Sequence, residues 1–115
     1  MMRRLPEILA ERRPGAAQVE LDLHIPADLE YFEGHFPGAP VLPGVVQIDW
    51  CVHLGRERLA LPAAFRALQQ VKFLTPILPE TRLRLQLELK GGDRLTFVYF
   101  EKEKKYSSGT IVFGA

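Results

Sequence analysis

Residues 34–50 read GHFPGAPVLPGVVQIDW and join a loop rich in proline and glycine to a helix. Proline and glycine are too dense in residues 26–44 for a helix or a central strand, although apolar side chains are interleaved through the loop. No proline then occurs from Val45 to Leu61, and Pro43 suits the first turn of a helix. Apolar residues cover nearly the whole circumference of its first three turns, which predicts a buried helix.

Alternating apolar and polar residues predict strands on both sides of this helix. From Ala17 to Ile25 the alternation is regular, as in a half-buried strand. Further strands are predicted at residues 65–73, 82–90, 95–100 and 106–113, with a hairpin turn at 91–93. The strand at 95–100 is apolar on both faces and is expected to be central or at an interface. Residues 3–12 are predicted to form a short helical turn.

One helix among antiparallel strands predicts an α+β fold in which a curved sheet wraps around one central buried helix. The 115 residues suffice for one domain, residues 1–115, with residues 1–16 as an N-terminal extension. Because the helix covers only one face of such a sheet, we expect a dimer or a multimer of dimers.

Composition excludes several classes of protein. Fifteen basic and fourteen acidic residues give a net charge of +1, which disfavours nucleic-acid binding. A single cysteine, Cys51, excludes an intramolecular disulfide, and the three histidines lack metal-ligand spacing, so no metal or cofactor is expected. No apolar run is long enough to span a membrane, and no signal peptide is recognised at the N-terminus. The expected compartment is the cytoplasm.

Polar residues inside the apolar loop and helix suggest catalysis. His35 lies in the loop, and Asp49 lies on the second turn of the helix. Gly44 lies at the start of the helix, where free backbone N–H groups can stabilise an oxyanion. A base, an acid and an oxyanion donor within fifteen residues suit proton abstraction next to a thioester carbonyl. The alternative is structural: a buried Asp49 paired with His53 one turn later, and a His35 that anchors the loop.

The run GHFPGAPVLPGVVQIDW resembles the active-site motif of the 3-hydroxyacyl-[acyl carrier protein] dehydratases, which are hot-dog-fold hydro-lyases. The resemblance implies that His35 is the base that takes the C2 proton and that Asp49 protonates the departing 3-hydroxyl. It also implies that the Gly44 amide polarises the thioester carbonyl, and that one site combines residues of two subunits. Phe36, Pro37, Val45 and Trp50 are the predicted substrate-binding residues; Trp50 also suits a core position.

The resemblance implies dehydration of a 3-hydroxyacyl thioester to the trans-2-enoyl thioester, with the acidic acyl carrier protein as partner. An excess of basic residues in 82–105 suits the docking of that carrier. Residues 45–50 resemble the small dehydratases of aryl polyene biosynthesis. Asp49 replaces the glutamate of the commonest long-chain dehydratases. The alternatives are a hot-dog thioesterase and a non-catalytic hot-dog subunit that pairs with another dehydratase. Cys51 is predicted to be a buried structural thiol rather than a nucleophile.

Overall fold

The computed structural model describes residues 3–32 and 40–114, which form one antiparallel sheet and one α-helix. The strands are β1 (Glu7–Arg12), β2 (Gln18–His24), β3 (Ala64–Phe73), β4 (Arg82–Lys90), β5 (Arg94–Glu101) and β6 (Lys104–Gly114), and the helix is α1 (Gly44–Arg58). The strand order across the sheet is β1-β2-β4-β5-β6-β3, with every neighbouring pair antiparallel. A short 3-10 helix, Glu30–Phe32, precedes the residues that are not described.

The core lies between α1 and the face of the sheet formed by alternate residues of β2, β4 and β5. The predicted alternation of β2 and β4 is confirmed, since Leu21 pairs with Leu85, Leu87 pairs with Phe97 of β5, and all four are buried. Burial of each such side chain contributes roughly 2 kcal/mol. Strand β5 lies between β4 and β6, so its predicted central position is confirmed. The hairpin turn is also confirmed, with positive φ angles at Gly91 and Gly92.

The predicted helical turn at residues 3–12 is wrong, because residues 7–12 form strand β1. This strand pairs with the free edge of β2 and contains a bulge between Ile8 and Ala10. The Arg12 guanidinium bonds to Glu20 and Asp22 of the neighbouring strand. Pairing with an open sheet edge, which one sequence segment does not reveal, outweighs the local helical preference.

The helix is buried on one side only, contrary to the prediction that it is buried all round. It begins at Gly44, after Pro43 as predicted, and ends at Arg58 rather than Leu61. Trp50, Cys51 and Leu54 face the sheet, whereas Val45 is 73% exposed in the single chain. One sheet covers one side of a helix, and the remaining apolar residues therefore point away from it. No helix in the described part of the chain is long and apolar enough to cross a membrane.

Strand β3 is found where residues 65–73 predict a strand, and it is predominantly exposed. It forms the edge next to β6, and its register shifts twice, between Phe65 and Ala67 and between Gln69 and Lys72. These irregularities break the period of two. Phe65, Leu68 and Phe73 are all exposed.

Candidate active site

The start of α1 presents backbone donors at the mouth of an apolar cleft. Pro43 is the N-cap, and its carbonyl accepts hydrogen bonds from the amides of Val46 (3.1 Å) and Gln47 (3.2 Å). The amides of Gly44 and Val45 have no acceptor among residues 3–32 and 40–114. Free N–H groups at the positive end of a helix dipole are suited to bind an oxyanion, which is the role predicted for the Gly44 amide.

Gly44 is required by the close approach of an aromatic ring. A Cβ atom at this position would lie 2.5 Å from Cζ of Phe73, at the end of β3. The ring therefore packs directly against the backbone that carries the free amides. Phe73 and the helix start also border the apolar cleft, which has a volume of about 520 Å³ and includes Val41, Leu74 and Pro76. An acyl chain is the kind of ligand that such a lining accepts.

Asp49 is exposed, so the predicted burial of its carboxylate is wrong. It lies four residues after Val45, and these two residues share the side of the helix that points away from the sheet. The predicted pair with His53 is also wrong: the His53 side chain is 49% exposed, and its Nε2 atom lies 3.9 Å from Oε2 of Glu57. The structure thus leaves the Asp49 carboxylate without a structural partner in the described residues.

The predicted site residues are partly brought together. Gly44, Val45 and Asp49 lie within the first two turns of α1, and the cleft opens at the same end of the helix. His35, Phe36 and Pro37 lie outside the described residues, so their roles stay predictions. The segment resumes at Pro40, four residues before the helix start.

Comparison with known proteins identifies the family of this chain. Residues 11–110 match the family model described as ApeI-like, ApeI dehydratase. The chain belongs to the ApeI-like dehydratase family. A 3-hydroxyacyl-[acyl-carrier-protein] dehydratase FabZ of Syntrophotalea carbinolica is 31% identical over 95% of this chain and 80% of its own length.

Two solved structures resemble this ApeI-like chain. One is the dehydratase heterocomplex ApeI:P from Xenorhabdus doucetiae, at a TM-score of 0.88 and 32% identity, covering 96% of this chain and 98% of that one. The other is an uncharacterized protein from Erwinia carotovora subsp. atroseptica, at a TM-score of 0.78 and 36% identity, covering 96% of both chains. The predicted α+β hot-dog fold is confirmed, and the chain is a dehydratase of this family.

Trp50 and Cys51 of this ApeI-like dehydratase belong to the core. Trp50 is fully buried, and its indole N–H donates to the carbonyl oxygen of Arg4 at 2.9 Å. Its alternative role as a core residue is confirmed, whereas its contact with substrate stays a prediction. Burial raises the pKa of the Cys51 thiol to about 12. The thiol is therefore protonated at neutral pH, and its predicted structural role is confirmed.

A buried polar cluster in this dehydratase was missed from the sequence. Gln47 lies on the sheet-facing side of α1, where its side chain bonds to Ser107 of β6. A signal was present, because Gln47 is the one polar residue among the sheet-facing positions that continue with Trp50, Cys51 and Leu54. A polar side chain in a buried helical stripe needs hydrogen-bond partners.

The described residues contain no group of three or more His, Cys, Asp or Glu side chains arranged to hold a metal ion. The polar chemistry at the helix start is instead that of backbone amides and one carboxylate. Backbone amides can donate hydrogen bonds, and a carboxyl group can transfer a proton.

Proposed function

We propose that this ApeI-like chain converts a 3-hydroxyacyl thioester on an acyl carrier protein into the trans-2-enoyl thioester and water. The observation that carries the proposal is the start of α1, where two free amides border an apolar cleft; the exposed Asp49 follows on the second turn of the same helix. The FabZ relative supports the substrate class by its name, 3-hydroxyacyl-[acyl-carrier-protein] dehydratase. The basic excess over residues 82–105 suits an acidic carrier.

The proposed mechanism assigns one step to each group. The Gly44 amide donates to the thioester carbonyl oxygen and stabilises the charge that develops there. His35, as a neutral imidazole, takes the C2 proton, and the electron pair forms the double bond between C2 and C3. The C3–O bond breaks, and a protonated Asp49 gives its proton to the departing hydroxyl, which leaves as water. Proton exchange with solvent restores His35 and Asp49, and turnover falls at acid pH as the imidazole protonates.

We further propose a homodimer, or a multimer of dimers, that completes the site. Val45 and Asp49 point away from the sheet of their own chain, and β3 has an open edge with exposed Phe65 and Leu68. A long apolar edge strand is suited to pair with another chain. A second chain placed there would cover the helix face that carries Asp49 and enclose the carboxyl within the shared site.

Pairing with a different hot-dog subunit is the second candidate for the assembly. The similar chain from Xenorhabdus doucetiae belongs to a dehydratase heterocomplex, which favours this arrangement. Light scattering on the isolated chain distinguishes the two. A homodimer has twice the mass of the chain, whereas a chain that needs a different subunit is monomeric and inactive by itself.

A product assay tests the proposed reaction against thioester hydrolysis. A 3-hydroxyacyl carrier thioester is incubated with the protein, and the products are followed by mass spectrometry. We expect loss of one water from the carrier-bound acyl group. Free acid without enoyl thioester identifies a thioesterase, and no product from an assembled protein identifies a non-catalytic subunit.

The finer assignment is to aryl polyene biosynthesis in the cytoplasm, supported by residues 45–50 and by the family match. We expect a carrier-bound aromatic polyene 3-hydroxyacyl group to react with a higher kcat/KM than a saturated group of equal length. Equal values for the two substrates would contradict this assignment.

A further inference from the structure

A hydrogen-bonded cluster fixes the start of α1 from the side opposite to the exposed Asp49 face. The Gln47 side chain, 4% exposed, donates from Nε2 to the carbonyl oxygen of Leu42 (3.2 Å) and accepts at Oε1 from the Ser107 hydroxyl (2.6 Å). The Tyr99 hydroxyl donates to the backbone carbonyl of Gln47 at 2.6 Å. Ser107 and Tyr99 are fully buried. Strands β5 and β6 thus hold the first turn of the helix.

The hydrogen bond from Gln47 to Leu42 links the cluster to the backbone directly before the helix start. Leu42 precedes Pro43 and Gly44, and its own amide donates to the carbonyl oxygen of Ile77 at 2.9 Å. Both backbone polar groups of Leu42 are therefore fixed, one to the sheet-side loop and one to Gln47. The direction of the peptide groups that follow, including the free amides of Gly44 and Val45, depends on this anchor.

We propose that Gln47 is a positioning residue that sets the direction of the Gly44 and Val45 amides toward the reacting carbonyl. The inference rests on the proposed dehydration. Folding stability alone does not explain a glutamine at this position. When two apolar groups of similar shape replace a buried hydrogen-bonded pair, the free energy of unfolding often changes little. A pre-aligned donor, by contrast, acts only if its geometry is held, and displacement by about 1 Å can lower a rate about a hundredfold.

The test uses the double variant Gln47→Leu/Ser107→Ala, which leaves no unsatisfied hydroxyl at position 107 and removes the donor of the Leu42 carbonyl. Tyr99→Phe is the matched control, since it removes a bond of the same cluster but leaves both side-chain bonds of Gln47. We expect the double variant to remain folded while kcat and kcat/KM fall together by about tenfold to a hundredfold. Tyr99→Phe should keep wild-type turnover even if its melting temperature falls.

Amide hydrogen exchange supplies a readout that does not depend on activity. The bonded amides of Leu42, Val46 and Gln47 should exchange faster in the double variant, while the amides of residues 50–56 stay as in the wild type. Unchanged exchange and turnover would overturn the proposal, as would acceleration along the whole helix, which indicates general loosening. If the wild-type protein forms no enoyl thioester, the proposed function fails, and the exchange pattern still decides the positioning role.

Discussion

Adjacent residues of α1 lie in opposite environments, so polar and core side chains occupy different sides of the same helical turn. Asp49 is exposed, whereas Trp50 and Cys51 are fully buried. Steps of about 100° per residue produce this change within a single turn. Asp49, which we propose as the acid, can therefore be adjacent in sequence to the core residues Trp50 and Cys51 without contacting the core.

Asp49→Asn should leave folding stability nearly unchanged and abolish most of the activity. Within its own chain the Asp49 carboxylate is exposed and pairs with no described residue, so we expect the free energy of unfolding of the chain to change by less than about 0.5 kcal/mol. Asparagine cannot donate a carboxylic proton, so turnover should fall about a hundredfold or more. Both quantities are measured on one preparation, with Glu57→Gln as the control on the same exposed side of the helix. Full activity of Asp49→Asn would remove the acid role.

Gly44→Ala should lower turnover more than its effect on stability explains. The added methyl would lie 2.5 Å from the Phe73 ring, so either the ring or the helix start must shift. Gly92→Ala is the control, because alanine at a φ of +79° is strained but lies in open space in the β4–β5 turn. We expect Gly92→Ala to lose about 1 kcal/mol of stability with wild-type kcat. An active Gly44→Ala enzyme would contradict the role of this amide.

At the scale of elements, the positions of strands β2 to β6 were predictable from the sequence, whereas strand β1 was not. In β2 and β4 the apolar residues meet the core at every second position, so the pattern appears in the sequence. Strand β1 has no such face, and its pairing with β2 depends on a distant edge. The apolar circumference of α1 predicts a buried helix, but the sheet of its own chain covers only one side. A single sequence does not distinguish a residue covered by its own sheet from one available to another chain.

The β1–β2 pair should weaken in acid through Asp22. Bonding to Arg12 at 2.6 Å lowers the pKa of the Asp22 carboxyl below its ordinary value of 3.8. A carboxyl with a lowered folded-state pKa stabilises the protein above its unfolded pKa, and the effect is lost as pH falls through the folded value. Asp22→Asn should therefore be less stable than the wild type at pH 7, and the difference should shrink as the pH falls below 3.8 and through the lowered pKa of Asp22.

Urea unfolding at pH 7 and at acid pH, followed by fluorescence of the single tryptophan, measures the difference in stability between Asp22→Asn and the wild type. Glu103→Gln is the control, because this exposed carboxylate forms no ion pair with any described residue. A difference between Asp22→Asn and wild type that persists unchanged at low pH would mean that the Asp22 charge does not stabilise β1.

For the whole molecule, the two sheet edges differ in how they are protected. Strand β1 has six residues, a bulge and a charged residue bonded across to β2. Strand β3 has ten residues and carries exposed Phe65, Leu68 and Phe73. Short, bulged and charged edges resist pairing, whereas long apolar edges favour it. The β3 edge is therefore where we place the subunit contact.

Leu68→Lys should convert the assembly to monomers and abolish activity, because a site shared between subunits is lost with the contact. Leu9→Lys is the matched control: it is an equally exposed leucine, 51% against 43%, on the opposite edge of the same sheet. We expect Leu9→Lys to keep the wild-type mass and turnover. Light scattering at micromolar concentration measures the mass. If the Leu68→Lys protein remains assembled, the subunit contact does not lie at the β3 edge.

Complementation between two inactive variants tests whether one site uses two chains. His35→Ala and Asp49→Asn should each be inactive as purified homodimers. In a symmetric dimer with shared sites, a hybrid of the two variants has one site with both substitutions and one site with neither. Random pairing makes about half of the dimers hybrids, so coexpressed variants should recover up to about a quarter of the wild-type turnover. The control is a mixture of the two separately purified homodimers assayed before subunits exchange, which should stay inactive. If the coexpressed pair is also inactive although hybrids are present, His35 and Asp49 of one site come from the same chain.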